Sequence, residues 1–299
     1  MTLDPRFERL RADRIVAGAR PVAQRTVAEA RAEEAARLPG SVPADDELTI
    51  PGPGGSIPIR VYRGGAREPS PALLYFFGGG WVLGSLDAAA PTARNLADLA
   101  ELTVVAVGYR RAPEHRFPAA VDDCVAATRW LAAHGDSLGI DVTRIAVGGA
   151  SAGGTLAAVV AQQVSTVSFQ LLVYPVVAYR SGTRSLAEAG DPYFLDEAAL
   201  EWAWSNYLPG GADPDDPRIS PLRAPDLHGV PPAFVLVAGH DPLHDEGLAY
   251  AERLAASGVS VEVADYPTMA HGFFSMLGVV DSAAEAQARA ARALRAWGL

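Results

Sequence analysis

Three residues of the 299-residue chain have types and positions that suit acyl chemistry. Ser151 stands between two glycines in Gly149-Ala150-Ser151-Ala152-Gly153, after the short apolar run 145–149 and before an alanine-rich stretch. A serine on a sharp strand-to-helix turn needs small neighbours, because the turn brings backbones close. The following helix offers unpaired N–H groups to a developing negative charge. Asp241 and His271 come later, in that order, each just after a stretch that reads as a strand. Ser151 would attack an acyl carbon and His271 would take its proton. Asp241 would hold the imidazole in one tautomer. The competing residues fit less well. Asp245 reads as a cap in a first helical turn, and His240 adjoins Asp241 and would point elsewhere. A third feature is Gly78-Gly79-Gly80, where the N–H groups of Gly79 and Gly80, with that of Ala152, are placed to hold an oxyanion. Trp81 would anchor that loop.

Bulk properties narrow the alternatives. The formal charge is −10 and no long basic cluster stands out, which argues against nucleic acid as a partner. Every basic residue is arginine, so Schiff-base chemistry and a P-loop lysine are excluded. The single cysteine, Cys124, reads as a small core residue. The six histidines are scattered, with no metal-binding spacing, so no metal is expected. No apolar run is long enough to span a membrane, and the first residues do not resemble a secretory signal. The expectation is therefore a cytoplasmic protein.

The elements that would position these residues follow a regular rhythm. Residues 3–38 read as helical and are broken by Pro21. A hairpin follows, 47–50 and 57–62 around Pro51-Gly52-Pro53-Gly54-Gly55. Strands are expected at 72–77, 103–107, 145–149, 169–174, 233–237 and 259–266. Helices are expected at 90–102, 119–134, 152–163, 196–206, 246–257 and 282–296. Strands alternating with helices imply an α/β fold with a mostly parallel sheet covered on both faces, whose ligands bind at the carboxyl ends of the strands. The expected division is N-terminal cap helices over 1–45, core over 46–177, a cap insertion over 178–225 and core again over 226–299, all one structural unit. The insertion carries Tyr193, Phe194, Trp202, Trp204 and Tyr207 and could lie over the strand ends as a lid.

Together these residues resemble the hormone-sensitive-lipase family of carboxylesterases (the bacterial family IV esterases). The resemblance rests on Phe76 to Trp81, Tyr109 to Glu114, Gly149 to Gly154, Asp216 to Leu222, Asp241-Pro242-Leu243 and His271-Gly272-Phe273. It implies an eight-stranded α/β-hydrolase fold with a helical cap and cofactor-free hydrolysis of small-molecule esters, usually with short to medium acyl chains. Phe77 replaces the family's usual histidine before the glycines, and Ala150 replaces an aspartate or threonine before the serine. Val177-Ala178 replaces a Thr-Asp pair, and Arg111 replaces a leucine. Phe77, Trp81, Tyr109 and Phe273 are candidate walls of a pocket for an apolar acyl or aryl group. The apolar replacements keep open a non-hydrolytic use of the same triad, by elimination, acyl transfer or cyclisation, because a dry surround excludes water. A binding-only protein on this fold is a third reading, which the presence of His271 disfavours. An exposed edge strand or the last helix offers a surface for a homodimer.

Overall fold

The computed structural model describes residues 1–38, 40, 42–65 and 68–298. Its frame is an eight-stranded sheet in the order β1-β2-β4-β3-β5-β6-β7-β8. The strands are β1 (Asp46–Gly52), β2 (Gly55–Arg63), β3 (Ser70–Phe76), β4 (Thr103–Val107), β5 (Ile140–Ala150), β6 (Val167–Val173), β7 (Ala233–His240) and β8 (Val261–Ala270). Only the pairings of β2, with β1 and with β4, are antiparallel. The β3, β4 and β6 strands are apolar and almost wholly buried, as expected of strands covered on both faces.

The helices are α1 (Pro5–Val16), α2 (Val27–Arg37), α3 (Leu86–Ala100), α4 (Ala119–His134), α5 (Ala152–Gln163), α6 (Arg184–Glu188), α7 (Glu197–Tyr207), α8 (His244–Ala256) and α9 (Asp281–Ala296). The chain steps from β3 to β4 in one direction across the sheet, then from β4 back past β3 to β5. Right-handed crossovers therefore put α3 on one face and α4, α5 and α8 on the other. α9 returns to pack on α3. The reversal of direction sits between β3 and β5, the position at which α/β sheets open a crevice for ligands. Register completes the placement. Phe76 pairs with Gly149, so the Gly78–Gly80 loop leaves the sheet beside Ser151.

The expected elements are present, with differences at their ends. α3 starts at Leu86, because Ser85 caps it through a bond from the Ala88 N–H and the helix continues through Pro91. β5 starts five residues early, where Ile140 pairs with Ser70. β8 runs on through Pro267 to Ala270, which an edge strand permits because one row of its N–H groups needs no partner. Residues 17–26 separate α1 from α2, a wider break than Pro21 alone would make. The short α6 has no counterpart in the expected elements.

The N-terminal segment and residues 192–203 lie together over the carboxyl ends of the strands. Phe7 meets Phe194 edge-on, Arg14 donates to the Tyr193 carbonyl, and the Trp202 indole donates to the Arg25 carbonyl at 3.0 Å. Trp81 stacks on Tyr207 at 4.4 Å and meets Trp204 at the same distance, which ties α7 to the loop after β3. The stretch around Ile219 instead packs inward, with Leu222 N–H bonded to the Val177 carbonyl.

One ion pair fastens the loop after β4 to α4. Asp123 is 1% exposed and receives the Arg110 backbone N–H at 2.9 Å and its guanidinium at 2.8 to 3.1 Å. Removing one partner of a buried pair strands the other charge. Arg110→Met should therefore lower unfolding free energy by about 3 kcal/mol, the low end of the usual range because the arginine is partly exposed. Urea denaturation should also show the double variant Arg110→Met/Asp123→Leu recovering most of that loss.

Candidate active site

The turn at Ser151 is set by close backbone approach. A Cβ on Gly153 would collide with the carbonyl oxygens of Phe76 and Phe77, and one on Gly149 with the carbonyl of Gly153. Ser151 itself sits at φ 57° and ψ −122°, a strained conformation for a residue with a side chain. It is held there by its N–H bonded to the Val173 carbonyl at 2.9 Å and by its own carbonyl, which receives the Thr155 N–H at 3.1 Å. The strain directs the hydroxyl out of the turn, ahead of α5.

Asp241 and His271 follow the adjacent strands β7 and β8, and both reach Ser151. His271 Nε2 lies 3.0 Å from Ser151 Oγ, and Nδ1 lies 2.7 Å from Asp241 Oδ2. Asp241 has no solvent exposure, and its second oxygen accepts the Leu243 N–H at 2.9 Å. An ionised carboxylate can only accept, so it fixes the proton on Nδ1 and leaves Nε2 free to accept from the serine. The Tyr174 ring stands 4.6 Å from the imidazole and limits its tilt. His240 points away, with Nε2 3.1 Å from the Met1 carbonyl. Asp245 departs from the expected capping role. Its carboxylate accepts the Ser185 N–H at 2.9 Å and so binds α6 to α8.

The glycine loop presents the expected donors. Among the described residues, no backbone carbonyl accepts the N–H of Gly79, Gly80 or Ala152. Gly79 and Gly80 have φ of 111° and 60°, and a Cβ on Gly80 would lie 2.7 Å from Ala203 of α7. The Phe77 side chain offers no hydrogen bond to shape this loop. It stacks on Tyr109 at 4.2 Å, and the Tyr109 hydroxyl donates to the Phe77 carbonyl at 2.7 Å.

Two of the side chains that hold the loop, Arg31 and Glu34, come from α2, outside the sequence motif. Glu34 accepts the Gly84 N–H at 2.9 and 3.0 Å through its two oxygens. Arg31 donates to the carbonyls of Val82 at 3.0 Å and Ala112 at 2.7 Å, and pairs with Glu114. Arg111, apolar in the family pattern, donates to the Gly84 carbonyl. Burial raises the pKa of Glu34, and the Gly84 N–H opposes that. Nothing in an arginine- and glutamate-rich helix marks Arg31 and Glu34 apart from their neighbours.

A cavity of about 550 Å³ opens over Ser151, lined by the glycine loop, Phe77, Trp81, His271, the N-terminal segment and residues 192–203. Two of the expected pocket walls lie elsewhere. Tyr109 is behind Phe77, and Phe273 is buried against Tyr174 and Tyr266, so neither borders the cavity. Among the described residues, no cluster of three or more His, Cys, Asp or Glu side chains is gathered as metal ligands would be. No helix among them is long and apolar enough to cross a membrane.

One further carboxyl is buried next to the site. Glu246, on α8, is 2% exposed and accepts the N–H groups of Val177 at 2.8 Å and Ala178 at 3.3 Å. These are the apolar residues that replace the family's Thr-Asp pair, so only their backbone is left to bond. Burial first, and nearby Asp241 in smaller part, push the Glu246 pKa up to about 7. The folded state thus binds this proton more tightly than the unfolded chain does. The associated stability is complete below the unfolded value of 4.5 and is lost as pH rises through about 7. Over that window the loss is about 3 kcal/mol. Glu246→Gln should flatten the stability profile between about pH 4.5 and 7, measured by urea midpoints across the range.

The α2 clamp has its own test. Glu34→Ala should lower kcat on p-nitrophenyl butyrate by about tenfold to a hundredfold, the scale of a misplaced oxyanion donor. Glu34→Gln, which keeps one acceptor for Gly84, should retain most of it.

A family profile described as alpha/beta hydrolase fold matches residues 73–275. The chain is 46% identical to an esterase, LipI, of Mycobacterium tuberculosis over 83% of its own length and 81% of the relative's. It is 40% identical to an ethyl acetate hydrolase of Pseudomonas putida over 81% and 79% of the two lengths. Among solved structures, a hyperthermophilic esterase from the archaeon Pyrobaculum calidifontis superposes with a TM-score of 0.93 at 37% identity, covering 100% of this chain and 99% of that one. The chain belongs to the alpha/beta hydrolase fold family, in its hormone-sensitive-lipase branch.

Proposed function

We propose that the chain hydrolyses carboxylic esters of small molecules, with acyl or aryl groups of short to medium size, through an acyl-enzyme on Ser151. The observation that carries this reading is the continuous line from Asp241 Oδ2 through His271 to Ser151 Oγ, at 2.7 and 3.0 Å, beside three N–H groups that lack a backbone acceptor among the described residues. Ser151 Oγ attacks the ester carbon while its proton moves to His271 Nε2. The carbonyl oxygen becomes an oxyanion facing the N–H groups of Gly79, Gly80 and Ala152. Collapse breaks the C–O bond, and the departing alkoxide takes the proton from His271. Water then repeats the sequence on the acyl-enzyme and releases the acid. Preorganised donors of this kind contribute about a hundredfold to a thousandfold each.

Relatives named esterases and hydrolases support the hydrolytic step. No feature of the site favours elimination, acyl transfer, cyclisation or binding alone. Phe77 and Trp81 border the cavity and fit an apolar acyl or aryl group. A cytoplasmic location and a homodimer, through the β8 edge or α9, belong to the same proposal, and sedimentation velocity measures the second.

The decisive assay uses p-nitrophenyl acetate, butyrate and octanoate. Turnover should fall by about 10⁴-fold or more with Ser151→Ala, and by about 10⁴-fold with Asp241→Asn, which presents the wrong imidazole tautomer. A fluorophosphonate should label the parent protein stoichiometrically and leave Ser151→Ala unlabelled. Turnover that survives in Ser151→Ala would refute the assignment.

A further inference from the structure

The cavity over Ser151 has walls of opposite chemistry. The side formed by the core is largely apolar, with Phe77, Trp81 and Val176 among its residues. The side formed by the N-terminal segment holds four arginines, Arg14, Arg20, Arg25 and Arg37, against two glutamates, Glu33 and Glu34. This local excess of positive charge stands within a chain of net charge −10.

The carboxylates present offset it only in part. Glu34 is committed to the Gly84 N–H, and Glu33 is shared between Arg25 and Arg37. Arg20 pairs with Glu29. Arg14 has no carboxylate partner among the described residues, although it is half-buried. It donates to the Tyr193 carbonyl and lies over the Phe194 ring, 4.9 Å from its centroid. The nearby Asp191 already accepts the Tyr193 N–H at 2.9 Å and Arg11 at 3.4 Å. Burial, then repulsion from Arg37, lowers the pKa of Arg14. Asp191 offsets the charge of this half-buried cation only in part, and a planar guanidinium facing a cavity matches a carboxylate in charge and shape. A cavity of about 550 Å³ has room for an ester group at Ser151 and a charged end several bonds away.

Building on the hydrolase reading, we infer that the preferred substrate carries a carboxylate remote from the scissile ester, received by Arg14 with Arg25 and Arg37 behind it. The carboxylate stands on the acyl side in a half-ester of an aliphatic dicarboxylic acid. It stands on the alcohol side in an ester of a hydroxy or phenolic acid. Both present the same anion to the same arginines.

The test compares charged and neutral esters in pairs. Monoethyl against diethyl adipate probes the acyl side, and 4-acetoxybenzoate against its methyl ester probes the alcohol side. In at least one pair, kcat/KM should favour the anion by about tenfold, the scale of one charge-assisted pair. That ratio should fall towards one in about 0.5 M NaCl and in Arg14→Gln. Equal or better turnover of the neutral ester in both pairs overturns the inference, as does a preference unchanged in Arg14→Gln. If Arg14→Gln does not fold, the salt dependence of the parent protein decides. Calorimetry on Ser151→Ala separates this inference from the hydrolase reading. Tighter binding of the anion there, lost in high salt, supports the carboxylate site even without turnover, and equal binding of both members of each pair removes it.

Discussion

The contact on which the rest of the site depends is the approach of β3 to the turn at Ser151. Gly149 and Gly153 let the backbone of Phe76 and Phe77 come within a distance that any side chain would block. That approach does two things at once. It holds Ser151 in its strained conformation, and it brings the Gly78–Gly80 loop alongside the hydroxyl. Strand register thus sets the Gly78–Gly80 loop beside Ser151, and side-chain contacts further along the loop then hold it there. The strain at Ser151 is borne by two parallel pairings, β3 with β5 and β5 with β6, which a buried sheet centre supplies with little freedom to relax.

Much of this was legible in the sequence because it is local or periodic. The glycines around Ser151, the apolar strands and the positions of Asp241 and His271 after late strands all carry their meaning within a few residues. The ends of elements were less legible. Ile140 joins β5 only because Ser70 is there to pair with it, and Pro267 stays in β8 only because that strand is an edge. Both facts depend on neighbours far away in the chain. Tyr109 and Phe273 show the same limit from the other side. Their motifs place them near the site, but aromatic rings fill either a core or a cavity, and only packing decides which.

The replacement of the family's histidine by Phe77 gains a physical context in the structure. Phe77 stacks on Tyr109 and gives the oxyanion loop packing without polarity. The polar fixing then comes from Arg31 and Glu34 on α2 and from Arg111. These three were invisible as site residues because charged residues on a helix or in a loop are usually solvated. Their consequence is that the loop's geometry depends on the docking of a segment remote in sequence. A buried polar network removed in one place and rebuilt in another need not cost stability, provided that no member is left unpaired.

The same N-terminal segment therefore acts in two ways. One face of α2, through Arg31 and Glu34, grips the loop that would receive the oxyanion. The arginines between α1 and the end of α2 face the cavity that would receive the rest of the substrate. Both roles use long charged side chains of a segment that lies over the strand ends, and both require that segment to be seated through Phe7, Arg14 and Trp202. A ligand held by that arginine wall would bind the seated arrangement more tightly than a lifted one. By linkage, its binding would favour the position of α2 that keeps Gly84, and with it the glycine loop, in place. The proposed carboxylate recognition and the position of the glycine loop would in this way be coupled through one segment, and the coupling would need no movement of Ser151, Asp241 or His271.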